Sequence, residues 1–241
     1  MKDFAATNIN EIPKRKFVIN DCVPKNQLTI FAGEDRSGKT TLTAGMVHAL
    51  STGRDFAGLE TSKQVCYLLT SEGGDYLKQM ITAHNLALGG GFEYICNDKI
   101  IDLTTEIGLL HLKTVLVENR ANNDGRDISI FFDNFQHFFN GHEKNGGKCV
   151  SVLGELNQLL KQFPEATFIA TAYSDWNANK VVAGSIVFVQ HSRTIYRIGM
   201  YNKKLSITPS KVQFHTPPER TIPVGIYGDP RNHTDTQYLK Y

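Results

Sequence analysis

The chain has 241 residues, a formal net charge of +2 and an apolar content of 41%. That is enough for one good-sized domain or two small ones, with the composition of an ordinary globular protein. With charge so nearly balanced, any nucleic-acid contact has to come from a local patch and not from the field of the whole molecule. No apolar run reaches membrane-spanning length, and the opening MKDFAATNINEIPKRK lacks the apolar core of a signal peptide. Cys22, Cys66, Cys96 and Cys149 are scattered and form no C-x-x-C pair, so neither zinc nor disulfides are expected. Buried free thiols in a reducing cytoplasm fit this usage.

In chain order, residues 1–16 are polar, end in Lys14-Arg15-Lys16 and read as a flexible arm. FVINDCVPKNQ, residues 17–27, reads as an extended segment and turn, with Pro24 and Asn26 as turn residues. QLTIFA follows as a short strand. It runs into Gly33-Glu34-Asp35-Arg36-Ser37-Gly38-Lys39-Thr40, which fits G-x-x-x-x-G-K-[ST] without a mismatch. TLTAGMVHALSTG then reads as a helix stopped at Gly53. KQVCYLLTSE is a continuous apolar run closing on Glu72, the pattern of a buried parallel strand. DYLKQMITAHNLAL has helical spacing and stops at Gly89 to Gly91. FEYIC is a short strand, and TEIGLLHLKTVLVENRANND an amphipathic helix.

DISIFFDNFQHFF, residues 127–139, is the most apolar strand signal in the chain. A polar loop separates it from the helix VSVLGELNQLLKQF, which Pro164 ends, and ATFIATAYSD is a further buried strand. After the loop SDWNANKVVAG, the stretch SRTIYRIGMYNKKLSITPSKVQF alternates like antiparallel strands. The tail from Pro217 carries four of the eight prolines and little periodicity. It is expected to be poorly ordered unless it docks on a neighbour. The expected division is an arm at 1–16, a core at 17–215 and a tail at 216–241. Strands alternating with helices predict an α/β fold, a mostly parallel sheet wrapped by helices, with antiparallel strands on the C-terminal side. A ligand then sits at the carboxyl ends of the strands, where the glycine loop, Glu72, Asp133 and the Ser174 region all lie.

The glycine motif is a phosphate cradle. Backbone N–H groups of residues Gly33 to Thr41 point at an anion, and the next helix adds its positive end. Lys39 is expected on the β- and γ-phosphates of ATP, and the Thr40 hydroxyl on Mg²⁺. Asp133 ends four apolar residues, so its carboxylate suits the Mg²⁺ shell opposite Thr40. The competing account is an acid capping a turn. Asn134 follows where many nucleotide-hydrolysing proteins place a glutamate, so the general base has to come from elsewhere. Glu72 is the candidate, on a strand expected close to the nucleotide-loop strand; a helix N-cap or a solvated loop acid is its alternative role.

On these residues the chain resembles the RecA-type ATPase core over roughly 17–208. Within that group it is similar to the RepA-like and DnaB-like hexameric replicative helicases. TSEGG narrows the likeness to the RecA group, and Ala183-Gly184-Ser185 with Ser192-Arg193-Thr194 resembles elements that follow the last core strands of RepA-like proteins. The resemblance implies Glu72 as base, Asp133 as the metal acid, and a ring in which a neighbour supplies a cationic finger. Lys203 and Lys204 are the candidates, with Arg193 and Arg197 behind them, and none is a clean match. RepA-like proteins tend to carry a histidine pair where this chain has Thr171-Ala172-Tyr173-Ser174. In RecA-type rings the loops corresponding to 136–148 and 175–184 line a channel and grip single-stranded DNA. Here Lys144, Lys148 and Lys180 would meet phosphates and Trp176 would stack on bases.

The leading reading is therefore a plasmid or phage ATPase that forms a homo-oligomeric, hexameric ring on single-stranded DNA, working with other replication proteins and away from membranes. A recombination ATPase is a close variant. A nucleotide-gated regulatory or assembly ATPase without DNA is the second class, and a small-molecule P-loop kinase the third.

Overall fold

The computed structural model describes residues 15–70, 82, 92–96, 101–175, 181–202, 204–212, 220–227 and 236–239. Two short strands, β1 (Phe17–Ile19) and β2 (Val23–Pro24), form an antiparallel pair ahead of the core. β3 (Leu28–Gly33) is LTIFAG, buried at every position, and so has to be covered on both faces. It runs parallel to its two neighbours, β7 (Ala166–Tyr173) and β8 (Thr194–Tyr201). β6 (Ile128–Phe132), β4 (Val65–Thr70) and β5 (Phe92–Cys96) extend the parallel sheet on the β7 side. Beyond β8 the chain turns back on itself through β9 (Lys204–Val212), β10 (Arg220–Tyr227) and β11 (Thr236–Leu239), each antiparallel to the last. The order across the sheet is β11-β10-β9-β8-β3-β7-β6-β4-β5.

Alternation along each strand divides the core in two. Ile30, Ala32, Ile130, Phe132 and Phe168 face α2 (Glu106–Asn122) and α3 (Gly146–Gln162), meeting Leu112, Leu116, Leu153 and Leu156. Phe31, Leu68, Phe131, Ile169 and Tyr196 face α1 (Lys39–Thr52), meeting Leu42, Met46, Val47 and Leu50. α1 is buried over most of its surface and ends at Gly53, whose N–H returns to Ala49 O at 2.8 Å. α2 starts at Thr105, whose hydroxyl accepts from Gly108 N, and α3 at Asn145, whose side chain accepts from Lys148 N. A short α4 (Val187–His191) leads into β8. Among the described residues no helix is long and apolar enough to cross a membrane. Cys22, Cys66 and Cys149 are buried and free; burial pushes the Cys149 thiol up to about 11 and that of Cys66 further still.

Two stretches differ from the reading by pattern. The apolar run 127–139 is not one strand: β6 ends at Phe132, and Phe135–Phe139 forms a 3-10 helix. Asn134 at φ 60° and Asn140 at φ 45° bracket it. Phe135, Phe138 and Phe139 are spaced by three and four, which a helical turn can bury on one side. Phe135 and Phe138 lie edge-on against Phe132, at centroid distances of 5.4 and 5.5 Å. The region after Pro217 holds β10 and β11, and β11 runs beside α1. Such antiparallel additions are held by backbone hydrogen bonds to the preceding strand, so they need no strong side-chain periodicity. The helix read from Asp75 lies outside the described residues, apart from Thr82.

Phe132 is fully buried where β6, β7 and the 3-10 helix meet. Phe132→Ala should lower unfolding free energy by about 3–5 kcal/mol, read as a shift in denaturation midpoint at constant slope. A loss below about 1 kcal/mol would mean that the site collapses around the gap.

Candidate nucleotide-binding site

β3 delivers Gly33 to its carboxyl end, and residues Glu34 to Gly38 turn the chain into α1. The turn uses left-handed backbone at Arg36 (φ 57°) and Gly38 (φ 87°). A Cβ on Gly33 would collide with Ser37 Oγ and would stand 2.8 Å from Ile198 O. One on Gly38 would stand 2.6 Å from Met200 Cε and 2.8 Å from Leu205 Cδ1. β8 and β9 thus back the loop, and the glycines let it lie against them. Leu42 N donates to Gly38 O at 2.9 Å, and no side chain caps the start of α1, which leaves the N–H groups of its first turn for an anion. Glu34, Asp35 and Arg36 are exposed, whereas Ser37, Lys39 and Thr41 are buried and Thr40 is half-buried. Ser37 Oγ is enclosed with no hydrogen-bond partner. A cradle of this shape, with a hydroxyl and a carboxylate nearby, fits a nucleotide's phosphates and Mg²⁺.

Lys39 folds back over its own loop. Its Nζ donates to Glu34 O at 2.6 Å and Gly33 O at 3.2 Å, and lies 4.2 Å from the centroid of the Tyr173 ring. Asp133, fully buried, accepts from Thr171 Oγ1 at 2.7 Å, and its backbone N–H donates to Leu69 O at 2.8 Å. The same Thr171 oxygen accepts from Asn134 N at 2.9 Å, so one hydroxyl from β7 sets both residues that follow β6. Asn134 Oδ1 is buried with no hydrogen-bond partner.

The two loops behind this site are fastened to each other. The Gln136 side chain accepts from Tyr173 N at 3.1 Å and donates to Tyr173 O at 3.1 Å and Ala183 O at 3.3 Å. Ser185 N donates to Glu143 O at 2.8 Å. Between the loops lies a cavity of about 420 Å³ whose lining includes Gln136, His137, Lys144, Tyr173 and Gly184. Lys144 is on this cavity; Lys148, in the first turn of α3, faces the groove between α2 and α3 beside Thr104 and Glu155. The structure thus separates two lysines that the sequence placed in one loop. Trp176, Lys180, Lys203 and Glu72 lie outside the described residues.

Strand order corrects one expectation about Glu72. Its strand, β4, does not neighbour β3, because β7 and β6 lie between them. At about 4.8 Å per step this is a lateral distance of about 14 Å. The end of β4 is instead tied to Asp133 through Leu69. Lys204 is exposed at the start of β9, on the hairpin whose Met200 and Leu205 back Gly38. Arg197 is exposed in mid β8, level with Ala32. Arg193 precedes Thr194, which is level with Thr29, so it stands at the opposite end of the sheet from the loop of its own chain. Sequence reading noted Thr171 and Tyr173 only as departures from a pattern, and it did not single out Gln136. A glutamine set inside the phenylalanine-rich run that follows Asp133, after Phe135 and before Phe138 and Phe139, was the available signal for the latter.

The sheet and the loop define a P-loop ATPase domain of the RecA type. A family model described as an AAA domain matches residues 2–178, and the chain belongs to that family. No curated protein matches it. Among solved structures it is similar to a KaiC-like protein from the hyperthermophilic archaeon Pyrococcus horikoshii. That match has a TM-score of 0.62 and 15% identity over 95% of this chain and 99% of the other, a likeness of fold.

Burial lowers the pKa of Lys39 below its ordinary 10.5, against the opposing pull of Asp35 and Asp133. Phosphates placed on the ammonium raise it again. Binding should therefore take up a proton at alkaline pH, and nucleotide affinity should fall as pH climbs from the lowered value towards 10.5. Calorimetry in two buffers of different ionisation enthalpy measures the uptake. Lys39→Arg, which does not titrate in this range, should bind without it.

Proposed function

We propose that this chain is an ATP-hydrolysing motor that assembles into a ring, six subunits in the leading form, and binds single-stranded DNA as a replicative helicase or recombination ATPase. The observation that carries the reading is the chain of contacts from Lys39 to the loops. The ammonium that would meet the γ-phosphate rests on Tyr173, and both backbone polar groups of Tyr173 are held by Gln136, which also holds Ala183. A nucleotide that draws Lys39 off the ring alters the surroundings of a residue to which both loops are tied.

In this reading Lys39 exchanges the carbonyls of Gly33 and Glu34 for the β- and γ-phosphates. Ser37 and the N–H groups from Glu34 to Thr41 line the cradle. Thr40 and Asp133 would hold Mg²⁺, which supplies charge neutralisation on the phosphates. The Thr171 hydroxyl keeps the Asp133 carboxylate oriented. Glu72, two residues beyond β4, orients the attacking water, since Asn134 has no basic carboxylate to offer. Lys203 or Lys204 of a neighbouring subunit supplies the cationic finger. Lys144, Lys148, Lys180 and Trp176 contact the strand of DNA, the lysines through phosphates and the indole by stacking.

A second reading, a nucleotide-gated regulatory or assembly ATPase, draws on the same Gln136 clamp, which would serve equally well to signal to a protein partner. ATP hydrolysis with and without single-stranded DNA, run beside a sizing measurement with and without ATP, separates the two. The motor reading expects several-fold stimulation by single-stranded DNA and a nucleotide-dependent larger species. No stimulation by any nucleic acid, with ATP turnover and assembly intact, would favour the switch. Lys39→Ala should cut turnover by about 10²-fold or more; near-normal turnover would remove the premise of both readings.

Glu72→Gln keeps the size of the side chain and removes its charge. It should leave binding of ATP and Mg²⁺ nearly intact and lower the hydrolysis rate by about 10²-fold or more. Asp133→Asn should differ by losing Mg²⁺-dependent binding as well. Wild-type turnover in Glu72→Gln would make Glu72 a structural cap.

A further inference from the structure

α2 is apolar on two opposite sides. At about 100° per residue, Gly108, Leu112, Val115, Leu116 and Asn119 share one face, and all five are buried. Ile107, Leu110, Thr114, Val117 and Ala121 share the other, and all five are exposed. Ile107 is 81%, Leu110 62% and Val117 49% exposed. Core packing accounts for the first face and gives no reason for the second. Three large apolar side chains aligned on one helix mark a contact surface more than scattered surface residues do.

The exposed face repeats at intervals of three and four residues, the spacing of a coiled-coil seam. Ile107, Thr114 and Ala121 take the a positions, and Leu110 and Val117 the d positions. The flanks are polar, as such a seam requires. Glu106, Lys113 and Arg120 stand at g, His111 and Glu118 at e, and all are exposed.

The charges on these flanks select the occupant. In a parallel pair, a g residue of one helix faces the next e residue of the other. A second α2 laid parallel to the first sets Lys113 against Glu118 and Glu106 against His111, and two-fold symmetry forms each pair twice. Among the described residues none of these four makes an ion pair within the chain. The remaining g residue, Arg120, would face Gly125 and is already held by Glu165 of its own chain at 2.7 Å. An antiparallel pair that stacks Ile107 on Val117 and Leu110 on Thr114 brings Lys113 against Lys113 instead, and like charges oppose it.

We propose that the exposed face of α2 binds a second copy of this chain, the two α2 helices lying parallel about a two-fold axis with Ile107, Leu110 and Val117 in the seam. From Ile107 to Ala121 the seam is about 21 Å long, short enough to place the pairing in the weak, micromolar class. α2 is already folded against the core, so pairing does not have to order it. A two-fold contact is self-complementary, whereas a ring joins unlike surfaces head to tail. The α2 pair is therefore a second interface, independent of the proposed ring and of nucleotide.

The test is sedimentation velocity on the full chain from about 1 to 100 μM without nucleotide, in the wild type and in Lys39→Ala. Both should show the same monomer–dimer equilibrium, which separates failure here from failure of the nucleotide reading. Leu110→Glu and Val117→Glu, at exposed positions, should each weaken dimerisation at least about tenfold and leave the circular-dichroism melt of the monomer unchanged. Lys113→Glu and Glu118→Lys should each weaken it several-fold, and the two together should restore it. Thr114→Cys, at an a position beside the axis, should cross-link to its own copy under a mild oxidant, and Thr52→Cys, exposed on α1, should not. A chain that stays monomeric over this range would overturn the proposal and leave the stripe to a different protein. Dimerisation untouched by Leu110→Glu would overturn it by placing the interface elsewhere. A charge swap that fails to restore pairing, or a Thr114→Cys chain that does not cross-link, would overturn the parallel arrangement.

Discussion

A lysine ammonium held almost out of water is the constraint on which the rest of this site depends. Lys39 is 6% exposed, and an uncompensated cation at that depth would be costly. Two carbonyls of its own loop and the face of Tyr173 offset the cost. Those partners belong to the loop and to the end of β7, so one side chain couples two strand ends. The loop in turn can approach β8 and β9 because Gly33 and Gly38 have no side chain to obstruct them. An anionic ligand replaces the carbonyl contacts with charge, and the arrangement is poised for that exchange.

The parallel sheet makes this coupling short. Parallel strands aim their carboxyl ends at one edge, and here β3, β7 and β6 bring the loop, Thr171 and Asp133 together with no intervening element. Thr171 is the hinge of the arrangement, donating to Asp133 and accepting from Asn134 N. A valine of the same shape would leave a buried carboxylate and a buried N–H each short of a partner, and the fold penalises that strongly. The residues that departed from the expected pattern, Thr171-Ala172-Tyr173, are therefore those that join the phosphate side of the site to its loops.

Local pattern made the glycine loop, its flanking strand and helix, and the acid at the end of β6 legible, because each is written in consecutive residues. The strand–helix alternation likewise carried the fold class. What could not be read depends on contacts distant in sequence. The order β3-β7-β6-β4 puts two strands between Glu72's strand and the loop, and no periodicity within KQVCYLLTSE encodes that. FQHFF satisfies an apolar strand by composition and a helical turn by spacing, and packing against Phe132 and Phe188 decided for the turn. Gln136 clamps Tyr173 across 37 positions of sequence, which no local signal announces. Lys144 and Lys148 are four apart, yet the start of α3 at Gly146 falls between them and sends them to different cavities.

The late cations divide between the two ends of β8. β8 is eight residues long, so its ends lie about 25 Å apart. Lys204 belongs to the hairpin at the end that backs the glycine loop, and Arg193 to the other end. A finger reaching a neighbour's phosphates has to deliver its charge within hydrogen-bonding distance. Two cations this far apart cannot serve the same phosphate group, so an assembly that uses Lys204 as its finger cannot bring Arg193 to that phosphate as well.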